Sequence, residues 1–398
     1  MGLLGPVAPA ELLPVAPAAR TELTEGAKTG PSTLERGGLL GPNEAFWIAK
    51  SNMSYRKVSV IMGGTSSERQ VSLASGESVL RALTEQGVDA RAIVLGPGDD
   101  ALAMLAGTEM DAAFLALHGK LGEDGCVQGL LELLGIPYTG SSVLSSALAM
   151  DKLKSKELFR LHNVPTPPYY VFDGNSTAAE IAEVHGSFGF PVVVKPRREG
   201  SSIGVSRAND MAELTEAIEL ALAFDSSVLV ERFVKAREVA VGILDGRVLG
   251  AIEIAPKSGM YDFTAKYTPG MTDYFMPARL PAARYQNVLN LAERAASALD
   301  TSGAVRVDLL VTEGQNEYVL EVNTLPGLTP TSLLPKIAGA AGFSFGELCM
   351  AMLERAKLHT RKMEPRAAVR AVPELADEAS VVVRRYGAER RSQRSRTA

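Results

Sequence analysis

The sequence predicts an α/β protein whose N-terminal part contains an open parallel sheet and whose later parts are of the α+β class. Three observations indicate this organisation. Short apolar strands alternate with amphipathic helices from Lys57 onward, a proline-rich step interrupts the chain at Asn163–Pro168, and two strands joined by a polar stretch form a hairpin near residue 310. Strands that alternate with helices indicate a parallel, Rossmann-like sheet, whereas a hairpin indicates antiparallel pairing.

Composition excludes several classes of function. The chain has 398 residues, which corresponds to roughly two or three domains. A net charge of −5 offers no general attraction to nucleic acid or to an anionic membrane. No apolar run approaches the ~18 residues of a spanning helix, and the two cysteines and four histidines show no zinc-ligand spacing. We therefore expect a cytoplasmic protein with neither nucleic acid nor membrane among its partners.

Both ends of the chain differ from the rest. Residues 1–54 are rich in Pro, Gly and Ala and lack a sustained apolar period, so they bury too little surface to offset their ordering entropy. Their glutamates and lack of a basic start argue against a transit or signal peptide. Two alternatives stay open: a disordered extension, or a translation start near Met53. Residues 361–398 are expected to form a disordered basic tail.

The N-terminal elements follow from hydrophobic periodicity. Strands are predicted at Lys57–Met62, Ala90–Leu95 and Ala112–Leu117, each a short apolar run. Amphipathic spacing predicts a helix at Val71–Gln86 and a single long helix at Ser141–Leu161.

The proline-rich step is the best domain boundary, because each residue before a proline is biased toward an extended conformation. We expect three folded domains, at residues 55–145, 146–233 and 234–360. The elements predicted beyond the step are strands at Pro191–Lys195, Val228–Val230, Glu238–Leu244, Val248–Ala255, Val305–Val311 and Tyr318–Asn323, with helices at Met211–Phe224, Tyr285–Leu299 and Phe345–Lys357.

The predicted hairpin carries a candidate metal site. Side chains alternate faces along a strand, so Arg306 and Asp308 share a face, as do Glu321 and Asn323. If the register aligns the two sets, three oxygen ligands and one guanidinium meet on one surface. Oxygen ligands suit Mg²⁺, and no P-loop motif occurs in the chain. The alternative is an acidic hairpin that faces water.

A glycine- and serine-rich loop follows the strand that ends at Lys195. Gly200 and Gly204 permit a tight turn, and amides and hydroxyls of such a loop can cradle phosphate oxygens. Farther on, an apolar strand runs into Glu231, whose carboxylate can accept hydrogen bonds from a ribose. The alternatives are a plain surface loop and an ordinary strand end.

These features together resemble the ATP-grasp fold, and further motifs resemble the D-alanine–D-alanine ligase family. The similarity extends in order over roughly Lys57 to Leu358. The additional motifs are Gly63–Leu73, Leu117–Gly119, Gly122–Gly125, Pro137–Ser141, Met150–Lys152, Tyr261–Tyr267 and Asn323–Gly327.

The resemblance implies a three-domain ATP-grasp architecture and an ATP-dependent ligase. Such an enzyme joins two D-alanines through a D-alanyl phosphate for peptidoglycan synthesis, with ATP and two Mg²⁺ or Mn²⁺ ions. It also implies a homodimer. Asp308, Glu321 and Asn323 would be the metal ligands.

The resemblance also implies roles for other side chains. Glu68, with Ser201 and Tyr267, would hold the ammonium of the first substrate beside His118, and Lys266 would reach the transferring phosphoryl group. The remaining implied positions are Lys152, Lys195, Glu199, Ser202, Glu231, Arg232, Val234 and Glu238 for ATP, Arg306 and the amide of Gly327 for the oxyanion, and Ser332 with the amide of Leu333 for the second carboxylate. Glu68 as a helix cap and His118 as a satisfied core histidine stay open.

Two residues depart from the family pattern: Phe263 stands in place of a tyrosine, and Ala236 in place of a glycine. Neither change removes a charge that the chemistry needs. The alternatives are a relative that joins D-alanine to D-lactate or D-serine, and an ATP-binding scaffold without catalysis. Within the resemblance, Lys266-Tyr267 favours the dipeptide-forming enzyme.

Overall fold

The structure is a computed structural model that describes residues 55–257, 261, 265–266, 268 and 270–360. The expectations for both ends of the chain, including the alternative start near Met53, lie outside the described residues. Tyr267 and Phe263 also lie outside them.

The N-terminal part contains the predicted parallel sheet, with three strands in the order β2-β1-β3. Its third strand ends at Leu115 rather than at Leu117, because the pairing with the first strand stops there. The elements are β1 (Lys57–Gly63), α1 (Arg69–Glu85), β2 (Asp89–Leu95), α2 (Ala101–Ala106), β3 (Ala112–Leu115) and α3 (Cys126–Leu134).

The predicted long helix at Ser141–Leu161 is wrong, because the structure has two helices there. These are α4 (Val143–Met150) and α5 (Lys152–Leu161), separated at Asp151, which is extended at φ −86° and ψ 97°. The Asp151 carboxylate accepts a hydrogen bond from the Lys154 amide at 3.1 Å and caps α5. It also pairs with both Nε and Nη2 of Arg197 at 2.7 Å. A capping aspartate that has a distant arginine partner therefore ends one helix and starts the next.

The central part is an antiparallel sheet in the order β4-β7-β5-β6, covered by two helices. The sequence prediction missed its first strand, although the run YYVFD has strong strand propensity. The elements are β4 (Tyr169–Asp173), α6 (Ala178–His185), β5 (Val192–Pro196), β6 (Ser206–Ala208), α7 (Met211–Leu222) and β7 (Ser227–Arg232).

The C-terminal part is a five-stranded antiparallel sheet in the order β10-β9-β8-β11-β12. Its last helix ends at Leu353 rather than at Lys357, because Lys357 exchanges backbone hydrogen bonds with Tyr138 beside the N-terminal sheet. The elements are β8 (Arg237–Leu244), β9 (Arg247–Pro256), β10 (Thr272–Phe275), α8 (Ala282–Ala298), β11 (Ala304–Val311), β12 (Glu317–Asn323), α9 (Leu333–Ala340) and α10 (Phe345–Leu353).

The hairpin β11–β12 has the register that the candidate metal site requires. Asp308 lies directly opposite Glu321, and Arg306 lies opposite Asn323. A register shift follows immediately, between Asp308 and Leu309. The four polar side chains therefore occupy one end of the hairpin, on two neighbouring strands.

No single helix among the described residues is long and apolar enough to cross a membrane. Helices α9 and α10 reach the required length and composition only as a pair, and they meet at 102°. Leu334, Ile337 and Leu348 on this pair are buried in the protein.

Candidate active site

Two adjoining cavities lie where loops from all three sheets meet. The first, of about 130 Å³, is lined by Glu68 and His118 from the N-terminal part and by the end of the β11–β12 hairpin, and it is named the substrate cavity after the roles expected for these residues. The second, of about 370 Å³, lies between the four-stranded and five-stranded sheets, contains Lys195 and Glu238, and is named the nucleotide cavity for the same reason. The residues that line both cavities are Lys152, Glu199, Gly200, Ser201, Tyr261, Lys266 and Glu321.

The acidic end of the hairpin faces these cavities. The guanidinium of Arg306 donates from Nε and Nη2 to the two oxygens of Asp308, both at 2.8 Å. Glu321 lies 3.8 Å from the ammonium of Lys152. Burial alone would raise the pKa of Glu321, but four neighbouring cations, Lys152 foremost among them, hold it at about 2. The acids of this hairpin therefore face cavities that also contain several cations.

The donor set suits a hard cation. Asp308 and Glu321 supply carboxylate oxygens, and the side-chain oxygen of Asn323 accepts a hydrogen bond from the Leu325 amide at 3.1 Å. Within the described ranges no group of three or more His, Cys, Asp or Glu side chains is arranged as a metal site. The fit therefore rests on two carboxylates and one amide, which is the oxygen chemistry that Mg²⁺ prefers alongside phosphate ligands.

The glycine-rich loop after β5 is held against the substrate cavity. Ser201 and Ser202 have positive φ values of 48° and 57°, which bend the loop sharply. A Cβ added at Gly200 would lie 2.5 Å from the Glu68 carboxylate, so a side chain there would displace that carboxylate. Lys120 binds Glu199 at 2.5 Å, and Lys152 donates to the carbonyl of the same residue. Two lysines thus fix the loop in addition to its contact with Glu68.

Glu68 connects the N-terminal part to this loop. It occupies the N-cap position of α1 but makes no capping hydrogen bond through its side chain. Its carboxylate instead accepts a hydrogen bond from the Ser201 hydroxyl. Burial is the main cause that raises the pKa of Glu68, and the charge of Glu123 adds to it, while Ser201, His118 and Lys266 oppose the shift.

His118 is buried, with partners for both ring nitrogens. Its Nδ1 lies 3.0 Å from the Glu123 carboxylate, and its Nε2 lies 3.4 Å from the Ser75 hydroxyl. The same hydroxyl accepts a hydrogen bond from the Leu328 amide at 3.2 Å. His118 is thus a satisfied buried histidine that also lines the substrate cavity.

Ser332, Gly327 and the start of α9 form the far wall of the substrate cavity. The Ser332 hydroxyl accepts a hydrogen bond from the Thr329 amide at 3.2 Å. A Cβ at Gly327 would lie 2.8 Å from that hydroxyl, so a side chain there would push Ser332 away. Leu333 is the first residue of α9, where amides without intrahelical partners favour a carboxylate.

Several predicted ATP residues line the nucleotide cavity. The Glu231 carboxylate has an ion-pair contact on each oxygen, with Lys156 at 2.7 Å and with Lys195 at 2.6 Å. Nη2 of Arg232 donates a hydrogen bond to the Phe188 carbonyl at 2.7 Å. Val234 and Ser202 lie in the cavity wall. Ala236, which stands where the family pattern has a glycine, lies there too.

Glu238 and Lys266 lie at the inner end of the nucleotide cavity. Burial raises the pKa of Glu238 to about 7, against the opposing charge of Lys266. Burial also lowers the pKa of Lys266, whose ammonium lies 5.2 Å from the centre of the Tyr261 ring. Tyr261 in turn shares a hydrogen bond with the hydroxyl of Tyr274 at 3.2 Å.

Sequence reasoning missed three side chains that support the site. Glu123 belongs to the Gly122–Gly125 motif but received no role, although its acid lies beside His118. Lys156 follows Lys152 by four residues on α5, a spacing that places both on one helix face. Ser75 offered no signal, because its importance arises from partners distant in the chain.

Two family models match the chain. One, described as D-ala D-ala ligase C-terminus, matches residues 158–354, and the other, described as D-ala D-ala ligase N-terminus, matches residues 96–141. The D-alanine–D-alanine ligase of Geobacter sulfurreducens is 50% identical over 312 residues, which are 78% of this chain and 97% of the relative. The corresponding enzyme of Geotalea uraniireducens is 51% identical over 303 residues, 76% of this chain and 96% of the relative.

Solved structures show the same similarity. The D-alanine–D-alanine ligase of Bacillus anthracis matches with a TM-score of 0.66 and 39% identity, over 75% of this chain and 96% of that one. A structure of that enzyme complexed with ATP matches with a TM-score of 0.65 and 37% identity over the same shares. The VanG D-Ala:D-Ser ligase of Enterococcus faecalis matches at 0.65 and 31% identity, over 75% of this chain and 98% of that one.

Proposed function

The chain belongs to the D-alanine–D-alanine ligase family and is an ATP-dependent ligase that joins two D-alanines for peptidoglycan precursor synthesis; we propose that it does so in the two cavities described above. One observation carries the assignment of the site. Glu68, the glycine-rich loop and the hairpin residues Arg306 and Glu321 come from separate parts of the chain, yet they line one substrate cavity. Asp308, the partner of Arg306, lines the adjoining nucleotide cavity.

The first step forms D-alanyl phosphate. A carboxylate oxygen of the first D-alanine forms a bond to the γ-phosphorus of ATP, the bond from that phosphorus to the bridging oxygen breaks, and ADP leaves. Glu68 holds the ammonium of this D-alanine, while Lys152 and Lys195 hold phosphates and Lys266 faces the transferring group. The catalytic contribution is positioning and charge stabilisation, so no side-chain nucleophile is required.

Asp308, Glu321 and Asn323 are the residues that would hold the two Mg²⁺ or Mn²⁺ ions. When bound, such ions supply positive charge that neutralises phosphate oxygens. The chain contributes the oxygen donors on two paired strands, and Arg306 keeps Asp308 in place through two hydrogen bonds.

The second step forms the peptide bond. The amine of the second D-alanine attacks the acyl carbon, a C–N bond forms, and the carbonyl oxygen becomes an oxyanion beside Arg306 and the Gly327 amide. The C–O bond to phosphate then breaks, the proton lost by the amine passes to the departing phosphate, and inorganic phosphate leaves. Ser332 and the Leu333 amide hold the second carboxylate, which orients the attacking amine.

Cellular placement and assembly are part of the proposal. Cys126 and Cys349 are both free thiols, which fits the reducing cytoplasm. A homodimer follows from the family resemblance, and light scattering on the purified protein measures it. The domain limits 55–145, 146–233 and 234–360 give each domain one of the three sheets.

Substrate selection is tested with the purified protein, ATP and Mg²⁺. We expect phosphate release with D-alanine and none with L-alanine, because the proposed contacts to both carboxylates and to the ammonium fix the configuration at the α-carbon. D-Serine and D-lactate are the matched second substrates, the first suggested by the VanG similarity. Preferred coupling of either one to D-alanine would replace the dipeptide assignment. ATP binding without any phosphate release would indicate a scaffold.

The pH profile tests the charge state of Glu68. Its carboxylate must be ionised to hold an ammonium, and its raised pKa means that kcat/KM for D-alanine falls with decreasing pH from a higher pH than an ordinary glutamate would allow. Replacing Glu123 by glutamine removes a like charge and lowers the pKa of Glu68. The acidic limb of the profile is therefore expected to move to lower pH.

The matched control for this change is Glu109→Gln, which neutralises another acid of the N-terminal part. Glu109 pairs with Lys57 at 2.5 Å. We expect an unchanged acidic limb in that variant. A uniform loss of activity in Glu123→Gln, with the acidic limb unmoved, would show that Glu123 acts only through its contact with His118.

A further inference from the structure

Lys156 is a fully buried cation that neither cavity exposes. It lies on α5 with 0% of its surface accessible. Its ammonium contacts Glu231 at 2.7 Å and the Thr166 hydroxyl at 2.5 Å, and the Tyr169 ring centre lies 5.7 Å away. An ammonium has three donors, and these contacts direct it toward the protein interior. Lys156 is absent from the walls of both cavities.

Glu231 lies between this buried lysine and a lysine that faces the nucleotide. Its second oxygen is 2.6 Å from the ammonium of Lys195, which lines the nucleotide cavity. Glu231 is itself only 3% exposed. Burial alone would raise the pKa of Glu231, but the two lysines lower it, so Glu231 is an anion. Burial lowers the pKa of Lys156, and the charge of Glu231 at 2.7 Å opposes that shift. With both lysines protonated, the three side chains carry one net positive charge.

If Glu231 served only to form a structural ion pair, one lysine partner would be enough. Burying each additional ion costs solvation free energy, which a Coulombic partner repays only in part. With Lys195 as its only partner, Glu231 would neutralise that lysine at the wall of the nucleotide cavity. The second lysine restores a net positive charge at the place where anionic phosphates are proposed to bind.

We propose that Lys156 is a positioning residue that shares the charge of Glu231 and thereby leaves Lys195 available to the nucleotide phosphates. This inference rests on the proposed binding of ATP in the nucleotide cavity. Lys156 thus contributes to the affinity for phosphate although it lies outside both cavities. It does not contribute to the affinity for the nucleoside.

The test compares ADP with adenosine by calorimetry at a fixed Mg²⁺ concentration. Lys156→Met keeps an unbranched apolar side chain that is one heavy atom shorter, and it removes the charge. We expect about tenfold weaker ADP binding, as for one unit charge lost at roughly 10 Å in an effective dielectric of about 20, and an unchanged dissociation constant for adenosine. Lys154→Met is the matched control, because Lys154 lies on the same helix and pairs with Glu157 at the surface.

A double variant separates charge from packing. Lys156→Met with Glu231→Gln leaves Lys195 as the single charge and returns the net charge to plus one. We expect the ratio of adenosine to ADP dissociation constants to return toward the wild-type value. Equal weakening of both ligands in Lys156→Met, or an additive loss in the double variant, would overturn the proposal and leave Lys156 a structural residue. Absence of ADP binding in the wild-type protein would instead contradict the proposed function, and thermal unfolding shows whether each variant is folded.

Discussion

Replacing Glu321 by glutamine is expected to lower kcat by about 10³-fold, on the order of 4 kcal/mol of transition-state stabilisation. Glutamine keeps the shape and one oxygen but removes the negative charge. That charge lies among four cations that hold the pKa of Glu321 at about 2, so the carboxylate is ionised throughout the working pH range. Without the negative charge of Glu321, the four cations repel one another. The proposed Mg²⁺ ions also lose one of their carboxylate ligands. Phosphate release at saturating ATP and D-alanine measures the effect.

Glu317→Gln is the matched control on the same strand. Glu317 pairs with Arg284 at 2.8 Å at the other end of the hairpin, away from both cavities. We expect wild-type kcat in this variant and a folded protein in both, as judged by circular dichroism and thermal unfolding. If Glu321→Gln keeps a kcat within a few-fold of Glu317→Gln, the hairpin acids have no part in turnover.

The hairpin itself shows how far local pattern determines structure. Strand alternation predicted that Arg306 and Asp308 share a face, as do Glu321 and Asn323, and the observed register brings the two sets opposite each other. This prediction needed only a period of two and a polar connection. The parallel N-terminal sheet was predictable for a similar reason, because short apolar strands alternate with amphipathic helices.

Two errors in the helices involve partners that are distant in the sequence. The break between α4 and α5 depends on Asp151, whose carboxylate binds Arg197 from the central sheet. The early end of α10 depends on Lys357, which pairs with Tyr138 near the N-terminal sheet. Helix periodicity continues through both positions, so a local pattern cannot show where tertiary contacts end the helix.

The site was predictable as a set of residues but not as a set of contacts. The motifs around Lys195 and Glu231 predicted that these residues belong to one site, and both line the same cavity. The sequence did not show that both Glu231 oxygens are engaged by lysines, because Lys156 reads as one more polar residue on an amphipathic helix. Likewise, Glu68 lies at the start of α1 in sequence, but its hydrogen bond to Ser201 arises from folding of the glycine-rich loop onto it.

Replacing Arg306 by lysine is expected to lower kcat by about 10²- to 10³-fold with a smaller change in the KM for ATP, as for loss of an oxyanion-hole donor. Burial alone would lower the pKa of Arg306, but Asp308 raises it, so the guanidinium is permanently charged. Its planar group binds both oxygens of Asp308 at 2.8 Å. Lysine keeps the charge but cannot make two parallel hydrogen bonds, so it loses its hold on Asp308 and its fixed position beside the developing oxyanion.

Arg284→Lys provides the control, because Arg284 also places Nε and Nη2 against one carboxylate, that of Glu317, at the far end of the same hairpin. Both variants lose a paired guanidinium of similar burial, so a similar change in thermal stability is expected. Only Arg306→Lys is expected to lose kcat, since only Arg306 lines the substrate cavity. Single-turnover measurements add a further distinction. Loss of oxyanion stabilisation slows dipeptide formation more than acyl phosphate formation, so D-alanyl phosphate should accumulate, whereas equal slowing of both steps would place the role of Arg306 in holding Asp308 alone.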